Sequence, residues 1–279
     1  MRFGPAGIPI GLKKGGTKEG IGFTAGLGLT AFEVEFVRGV KMKAEYAKEV
    51  GKTAKEKDIL LSAHCPYWIN TCAMTKEKLN TSKRNILTTA KIASEMGAIV
   101  IVFHPGFYMG RSSEECMEIS LKTLLEVKEE MKSRKWNVLL GAETTGKASQ
   151  FGSLDEVIEI AREIGGVPVI DFAHVHARHG KGELRKKEDF KKIFDKIEKS
   201  LGSKAVKNFH SHFSEINYSK KGELNHIPIG MNDEPPFKPL AEVIVENGYD
   251  GTIICESPFL EEDAIKMKII YEKIIEKKK

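Results

Sequence analysis

A single glutamine, Gln150, stands in a chain of 279 residues that also holds 44 lysines and arginines and 39 aspartates and glutamates. Scarce amides beside abundant Lys and Glu are a composition bias of heat-adapted proteins. Cysteines are few. Cys65, Cys72, Cys116 and Cys255 form no C-x-x-C pair, which argues against a disulfide framework or a cysteine zinc knuckle. Long apolar runs are missing: stretches such as Ala98 to Phe103 fall far short of the ~20 residues of a membrane-spanning helix, so no membrane partner is expected. The opening Met1-Arg2-Phe3-Gly4-Pro5 has no charged region leading into an apolar stretch, so no signal peptide is expected and the protein reads as cytoplasmic. The early glycines Gly4, Gly7, Gly11, Gly15 and Gly16 spell neither G-x-G-x-x-G nor a Walker loop, and no G-x-S-x-G elbow is present. Covalent hydrolase chemistry is therefore unsupported.

What is present is an alternation. Apolar, β-branched runs fall near 3–10, 32–37, 59–63, 98–103, 138–142, 167–170, 206–213 and 252–255. Helix-like segments lie between them, at about 17–28, 43–57, 76–96, 113–132, 154–164, 188–200, 239–247 and 261–277. Gly97, Gly165, Gly202 and Gly248 stand where helices should stop. Eight strands alternating with about eight helices, with no linker between them, is the arithmetic of a (β/α)₈ barrel forming one domain over 1–279. A doubly wound open sheet is the alternative, and it usually places a glycine-rich phosphate loop after its first strand. A hydrophobic fraction of 41% and a charged fraction of 30% exclude disorder.

The strand ends carry the chemistry. In such a barrel the C-terminal ends of the strands converge on one mouth. The last six runs deliver His64, His104, Glu143, Asp171 with His174 close behind, His212, and Glu256. One carboxylate after a strand is commonly a helix cap, and one histidine commonly a hydrogen-bonded structural residue. Taken together they say more, because all eight histidines fall near the expected mouth and none on an expected helix. Glu143, Asp171 and Glu256 would crowd one rim, where mutual repulsion raises pKa values or recruits cations. Imidazoles beside carboxylates are ligands for zinc and related divalent metals. The set is too large for one tetrahedral ion, so a polynuclear site with Glu143 as bridge is expected. Several ions held together suit phosphate-ester hydrolysis, through metal-activated hydroxide and a stabilised leaving alkoxide.

These residues resemble a known family. His64-Cys65-Pro66-Tyr67-Trp68-Ile69-Asn70 is similar to the H-x-x-Y-x-I-N segment of endonuclease IV, the zinc-dependent AP endonucleases. His104-Pro105-Gly106, Glu143-Thr144-Thr145-Gly146, Asp171-Phe172-Ala173-His174, His212-Phe213-Ser214-Glu215 and Glu256 follow in the family's order. The resemblance implies a TIM barrel that cleaves duplex DNA on the 5′ side of abasic sites in base excision repair. It implies that His64, His104 and Glu143 hold one metal, that Glu143, Asp171, His212 and Glu256 hold a second, and that His174 and His226 hold a third. Zn²⁺ is the expected ion, with Mn²⁺ or another divalent ion as the alternative. Tyr67 would line the pocket for the flipped-out abasic nucleotide, and Arg38, after strand two, would enter the DNA gap. The family's D-x-H reads Leu224-Asn225-His226 here, with Glu223 one residue away. Two firmly held metals and a labile third are therefore expected, unless Glu223 turns inward.

The basic run from Arg178 to Lys187, with Arg185 within it, is read as a phosphate-contact strip, and its bland alternative is a solvated loop. His176 and His179 are assigned to the same surface, and His210 to a layer behind the metals. The competing function is a sugar isomerase or epimerase of the xylose-isomerase-like barrels, using Glu143, Asp171, His212 and Glu256 around one ion. The additional imidazoles favour the nuclease.

Overall fold

The computed structural model describes residues 1–278. The chain runs β1 (Arg2–Pro5), α1 (Thr17–Gly26), β2 (Ala31–Glu35), α2 (Ala44–Glu56), β3 (Leu60–His64), α3 (Lys76–Glu95), β4 (Val100–Phe103) and β5 (Gly106–Phe107). It continues through α4 (Ser113–Ser133), β6 (Leu139–Glu143), β7 (Gln150–Phe151), α5 (Leu154–Ile164), β8 (Val167–Asp171), α6 (Phe172–Ala177), α7 (Lys187–Leu201) and α8 (Ser203–Val206). Last come β9 (Phe209–Phe213), β10 (Glu215–Ser219), β11 (Gly222–Ile227), α9 (Phe237–Asn247), β12 (Gly251–Cys255) and α10 (Leu260–Lys278). No helix among the described residues is long and apolar enough to cross a membrane.

Eight strands form one parallel sheet in the order β1-β12-β9-β8-β6-β4-β3-β2, the sequential order of a (β/α)₈ barrel with its ends brought together. The ring closes between β1 and β2 through a parallel bridge, Ala6 to Glu33, with Gly7 N–H donating to the Glu33 carbonyl at 2.9 Å. Closure needs a glycine. A Cβ on Gly4 would lie 1.8 Å from the Ala31 carbonyl oxygen, so any side chain there would force the seam open.

Local chemistry sets the helix limits. Ser112 and Ser153 each close a capping box, accepting from the amides of Glu115 and Glu156, whose carboxylates bond back. Gly165 and Gly248 end α5 and α9 in the left-handed conformation. The strands bury both faces. Outward-pointing Phe32 and Phe36 join Ile21, Val50 and the helices in the main core, while Val100, Val102 and Val169 make a separate small cluster within the barrel. The rest of the inner face at this level is polar, with Glu33, Ser62 and His210 all buried.

Three expectations change. The hairpin β10–β11 was not foreseen; its alternation is short and sits in what reads as a polar loop. Val206 lies in the short α8 rather than in the seventh barrel strand. His174 and His176 do lie on a helix, α6, because the chain turns directly from β8 into it, with the Asp171 carboxylate accepting from His174 N–H at 2.7 Å.

Candidate metal centre

The period of two along each strand brings alternate side chains into the barrel and lifts its last inward residue to the mouth. Glu143 ends β6, fully buried, at the middle of this ring. Its Oε2 lies 3.1 Å from Nε2 of His64 and 3.1 Å from Nε2 of His104. Its Oε1 lies 3.2 Å from His174 Nδ1 and 3.4 Å from His212 Nδ1. His212 Nδ1 is also 3.2 Å from Glu256 Oε1. Donor atoms converge in four groups: His64, His104 and Glu143; Glu143, Asp171, His212 and Glu256; Asp171, His174 and His226; and, deeper in the barrel, Glu33, His210 and His212. Within each group the atoms lie within 4.8 Å of one another. Glu143 belongs to two groups, as its sequence position suggested, and so does Asp171, which the sequence reading had confined to one.

Orphaned atoms test whether cations fit here. Glu143 Oε1, Asp171 Oδ2 and His212 Nδ1 are buried without hydrogen-bond partners. Each unsatisfied buried polar group costs about 1–3 kcal/mol, more when charged, so three together are an arrangement that cations would stabilise. Imidazole nitrogens and carboxylate oxygens suit zinc, manganese and similar divalent ions. Second bonds aim the rings: His64 Nδ1 meets the Cys65 carbonyl at 2.7 Å, His174 Nδ1 the Thr144 carbonyl at 2.9 Å, and His226 Nδ1 the Ser214 hydroxyl at 2.7 Å. Charge follows the same logic. Burial alone would raise Glu143, but the facing charges of His104 and His212 hold it well below the ordinary carboxylate range. Burial dominates at Asp171 and raises it. Against burial, the His212 charge brings Glu256 down to about 2.

The third group shows how the chain accommodates Leu224. Hairpin pairing runs Ile216 to His226, Asn217 to Asn225, then Tyr218 to Glu223, so Leu224 is a bulge residue left out of the ladder. Leu224 is 61% exposed. Because Ile216 and Tyr218 share a face of β10, their partners His226 and Glu223 share the facing side of β11. The bulge thus restores to Glu223 the face that a carboxylate two residues before His226 would occupy. Glu223 Oε2 lies 3.7 Å from His174 Nε2, and His226 Nε2 is 3.2 Å from the same nitrogen. Gly146 makes the room, since a Cβ there would sit 2.3 Å from Glu223 Oε2.

A cavity of about 630 Å³ opens over the centre, lined by Glu35, His64, Tyr67, His104, His226 and Glu256 among others. Tyr67 is 58% exposed, with its ring 5.7 Å from that of His64. Trp68, also exposed, stands beside the loop after β2 that carries exposed Arg38.

The strip from Arg178 to Lys187 needs correction. Arg178 is buried, and its guanidinium donates to the carbonyls of Thr145, Lys147 and Gln150 at 2.9, 2.9 and 2.7 Å, stapling the loop that carries Gly146. It cannot meet a phosphate. His176 is also buried, its Nδ1 3.0 Å from the Leu184 carbonyl, so only His179 of that pair is on the surface. Arg185 and Lys187 reach solvent but pair with Glu234 and Glu246, each at 2.8 Å.

Sequence reasoning missed Glu33 and Glu35. Burial pushes the Glu35 carboxyl up to about 8. A carboxyl whose folded value lies above its unfolded one binds its proton more tightly when folded, so stability is lost as pH rises toward 8. The metal-free protein should therefore melt at lower temperature as pH rises from about 5 to about 8, and Glu35→Gln should flatten that fall. Melting curves in chelator check this, and equal slopes for the two proteins would show that Glu35 is not the group responsible.

Fold and site together define a class: an eight-stranded α/β barrel whose mouth gathers imidazoles and carboxylates into a candidate polynuclear metal centre. The chain belongs to the xylose isomerase-like TIM barrel family, whose model matches residues 21–269. It is 37% identical over 272 residues to an uncharacterized protein of Methanocaldococcus jannaschii, covering 98% of this chain and 97% of that one. It is 30% identical over 211 residues to a probable endonuclease 4 of Aquifex aeolicus, covering 71% of this chain and 74% of that one. Among solved structures, endonuclease IV from Thermus thermophilus aligns with a TM-score of 0.73 at 19% identity, covering 99% and 100% of the two chains. A D-tagatose 3-epimerase-like protein aligns at 0.67 with 20% identity, over 89% of each.

Proposed function

We propose that this protein is a metal-dependent endonuclease that cleaves duplex DNA 5′ to abasic sites. One observation carries the reading: three donor groups are fused through the shared carboxylates Glu143 and Asp171, an arrangement for several ions rather than one. His64, His104 and Glu143 would hold the first ion. Glu143, Asp171, His212 and Glu256 would hold the second, and Asp171, His174, His226 and Glu223 the third. Zinc suits these ligands best. Bound there, such ions would activate water and neutralise charge on phosphate and leaving oxygen. The chain's own residues do the rest. Glu143 and Asp171 keep the ligand groups in fixed relation, while Tyr67 walls the cavity where an extruded sugar would stand. Exposed Trp68 and Arg38 beside it suit stacking on unpaired bases and contact with the backbone. Relatives named endonuclease 4, and an apurinic-apyrimidinic endonuclease of Caenorhabditis elegans at 26% identity over 229 residues, support the same substrate.

A duplex with one abasic site, incubated with the protein with and without chelator, tests the proposal. A single nick 5′ to the lesion, abolished by chelator, is expected. Binding should weaken steeply with salt, and Arg38→Ala should reduce the slope of log K against log salt by about one unit. Arg185 and Lys187, already paired, should change it less. The quartet Glu143, Asp171, His212 and Glu256 forms one compact group and favours a second reading, a single-metal sugar epimerase. Absence of nicking, with epimerisation of a ketose, would transfer the assignment to it.

A further inference from the structure

Beneath the ring of ligands lies a buried cluster of which both readings use only His212. Glu33 comes from β2, Ser62 from β3, and His210 and His212 from β9; all are at most 2% exposed. The Ser62 hydroxyl donates to Glu33 Oε2 at 2.6 Å, and His210 Nε2 lies 3.1 Å from the same oxygen. Glu33 Oε1 lies 2.9 Å from Nε2 of His212, a close charge contact rather than an aligned hydrogen bond, and the other nitrogen of that ring faces Glu143 and Glu256. A fully buried carboxylate is retained only when donors or opposite charge surround it. Its ionised form only accepts, so it favours a proton on each nitrogen turned toward it.

We propose that Glu33 is a positioning residue for the metal centre: it holds the proton of His212 on Nε2, so that Nδ1 is presented to the ion held with Glu143, Asp171 and Glu256. Ser62 and His210 fix Glu33 in turn. The proposal rests on that quartet being a metal site, whatever the substrate. The chain of carboxylate, imidazole and metal is a general device for fixing a ligand's tautomer and raising its basicity, and loss of the outer partner typically costs 10–100-fold in metal affinity. Without Glu33, either nitrogen of His212 could carry the proton, and the molecules with the proton on Nδ1 could not ligate.

The tests read metal, not DNA cleavage. In the zinc-loaded wild-type protein, long-range ¹H–¹⁵N spectra of the histidines should show His212 bound through Nδ1 with a slowly exchanging proton on Nε2. Glu33→Gln, whose amide can turn an N–H toward either imidazole, should release zinc to a competing chelator about 10–100-fold more readily from one site. The site built on His64 and His104 should keep its affinity. His210→Gln, which leaves the carboxylate in place, should give a smaller loss in the same site and serves if Glu33→Gln does not fold. Ligation through Nε2, or wild-type zinc affinity in the folded variants, would overturn the proposal and leave the metal centre standing. A wild-type protein that binds no divalent ion would overturn both.

Discussion

Glu143→Gln should lower cleavage of an abasic-site duplex by at least ~10²–10³-fold, the scale on which one preorganised charge contributes at a reacting centre. The substitution keeps the shape of the side chain and removes the charge shared by two donor groups. His64 and His104 face one of its oxygens, His174 and His212 the other. An amide cannot serve both sides, because one of its ends is a donor. Metal content should fall with activity, by about one to two ions per chain. Elemental analysis beside a nicking assay reads both. Full activity in this variant would dismiss the polynuclear site, and full metal content with lost activity would reassign Glu143 from ligand to a group acting on substrate.

The second large effect concerns the hairpin. Glu223→Ala should reduce bound zinc from about three ions per chain to about two, since it leaves two imidazoles and only a share of Asp171, which also belongs to the second group. Turnover should fall on the order of 10²-fold if that ion supports the phosphate as one fixed charge does elsewhere. Leu224→Ala should do neither, because Leu224 is outside the ladder and exposed. Gly146→Ala should copy the Glu223 variant with every ligand intact, since the new methyl would come within 2.3 Å of Glu223 Oε2 and 2.7 Å of its Cβ and displace that side chain. Equal losses from Glu223→Ala and Leu224→Ala would mean that the bulge does not set the register. The sequence reading expected a labile third ion unless Glu223 turns inward, and a single extra residue in β11 is what brings Glu223 onto the face of His226.

The barrel was legible because its signal is repeated: each strand is an apolar run, each helix an amphipathic one, and an error of two residues at any end leaves the order intact. α5 was read at its observed limits because Ser153 and Gly165 mark both ends. The ring of ligands was legible for a related reason, as a residue just past an apolar run must stand at the mouth. Glu33 and Glu35 escaped notice because alternation of Phe32, Val34 and Phe36 with carboxylates reads as a strand with one wet face. In a closed parallel barrel the second face is also buried, so those carboxylates had to be interior. Arg178 misled in the opposite sense. Its neighbours are charged and exposed, and nothing in the local pattern reveals that a loop some 30 residues earlier supplies three carbonyls to its guanidinium. Hydrogen bonds of that separation have no sequence signature.

The seam between β1 and β2 gives Glu33 a double employment. Its main chain forms the bridge that shuts the ring, and its side chain reaches His210, 177 residues away, on the far arc of the wall. The same short stretch is thus both a clasp and a spoke. An ion gripped by His212, Glu143, Asp171 and Glu256 would lie at a hub tied to β9, β6, β8 and the end of β12, and through Glu33 to the strand where the hoop is joined. Such bracing resists spreading at the join, which carries fewer ladder bonds than the rest of the circumference. Loading the hub and keeping the hoop closed then become one mechanical condition.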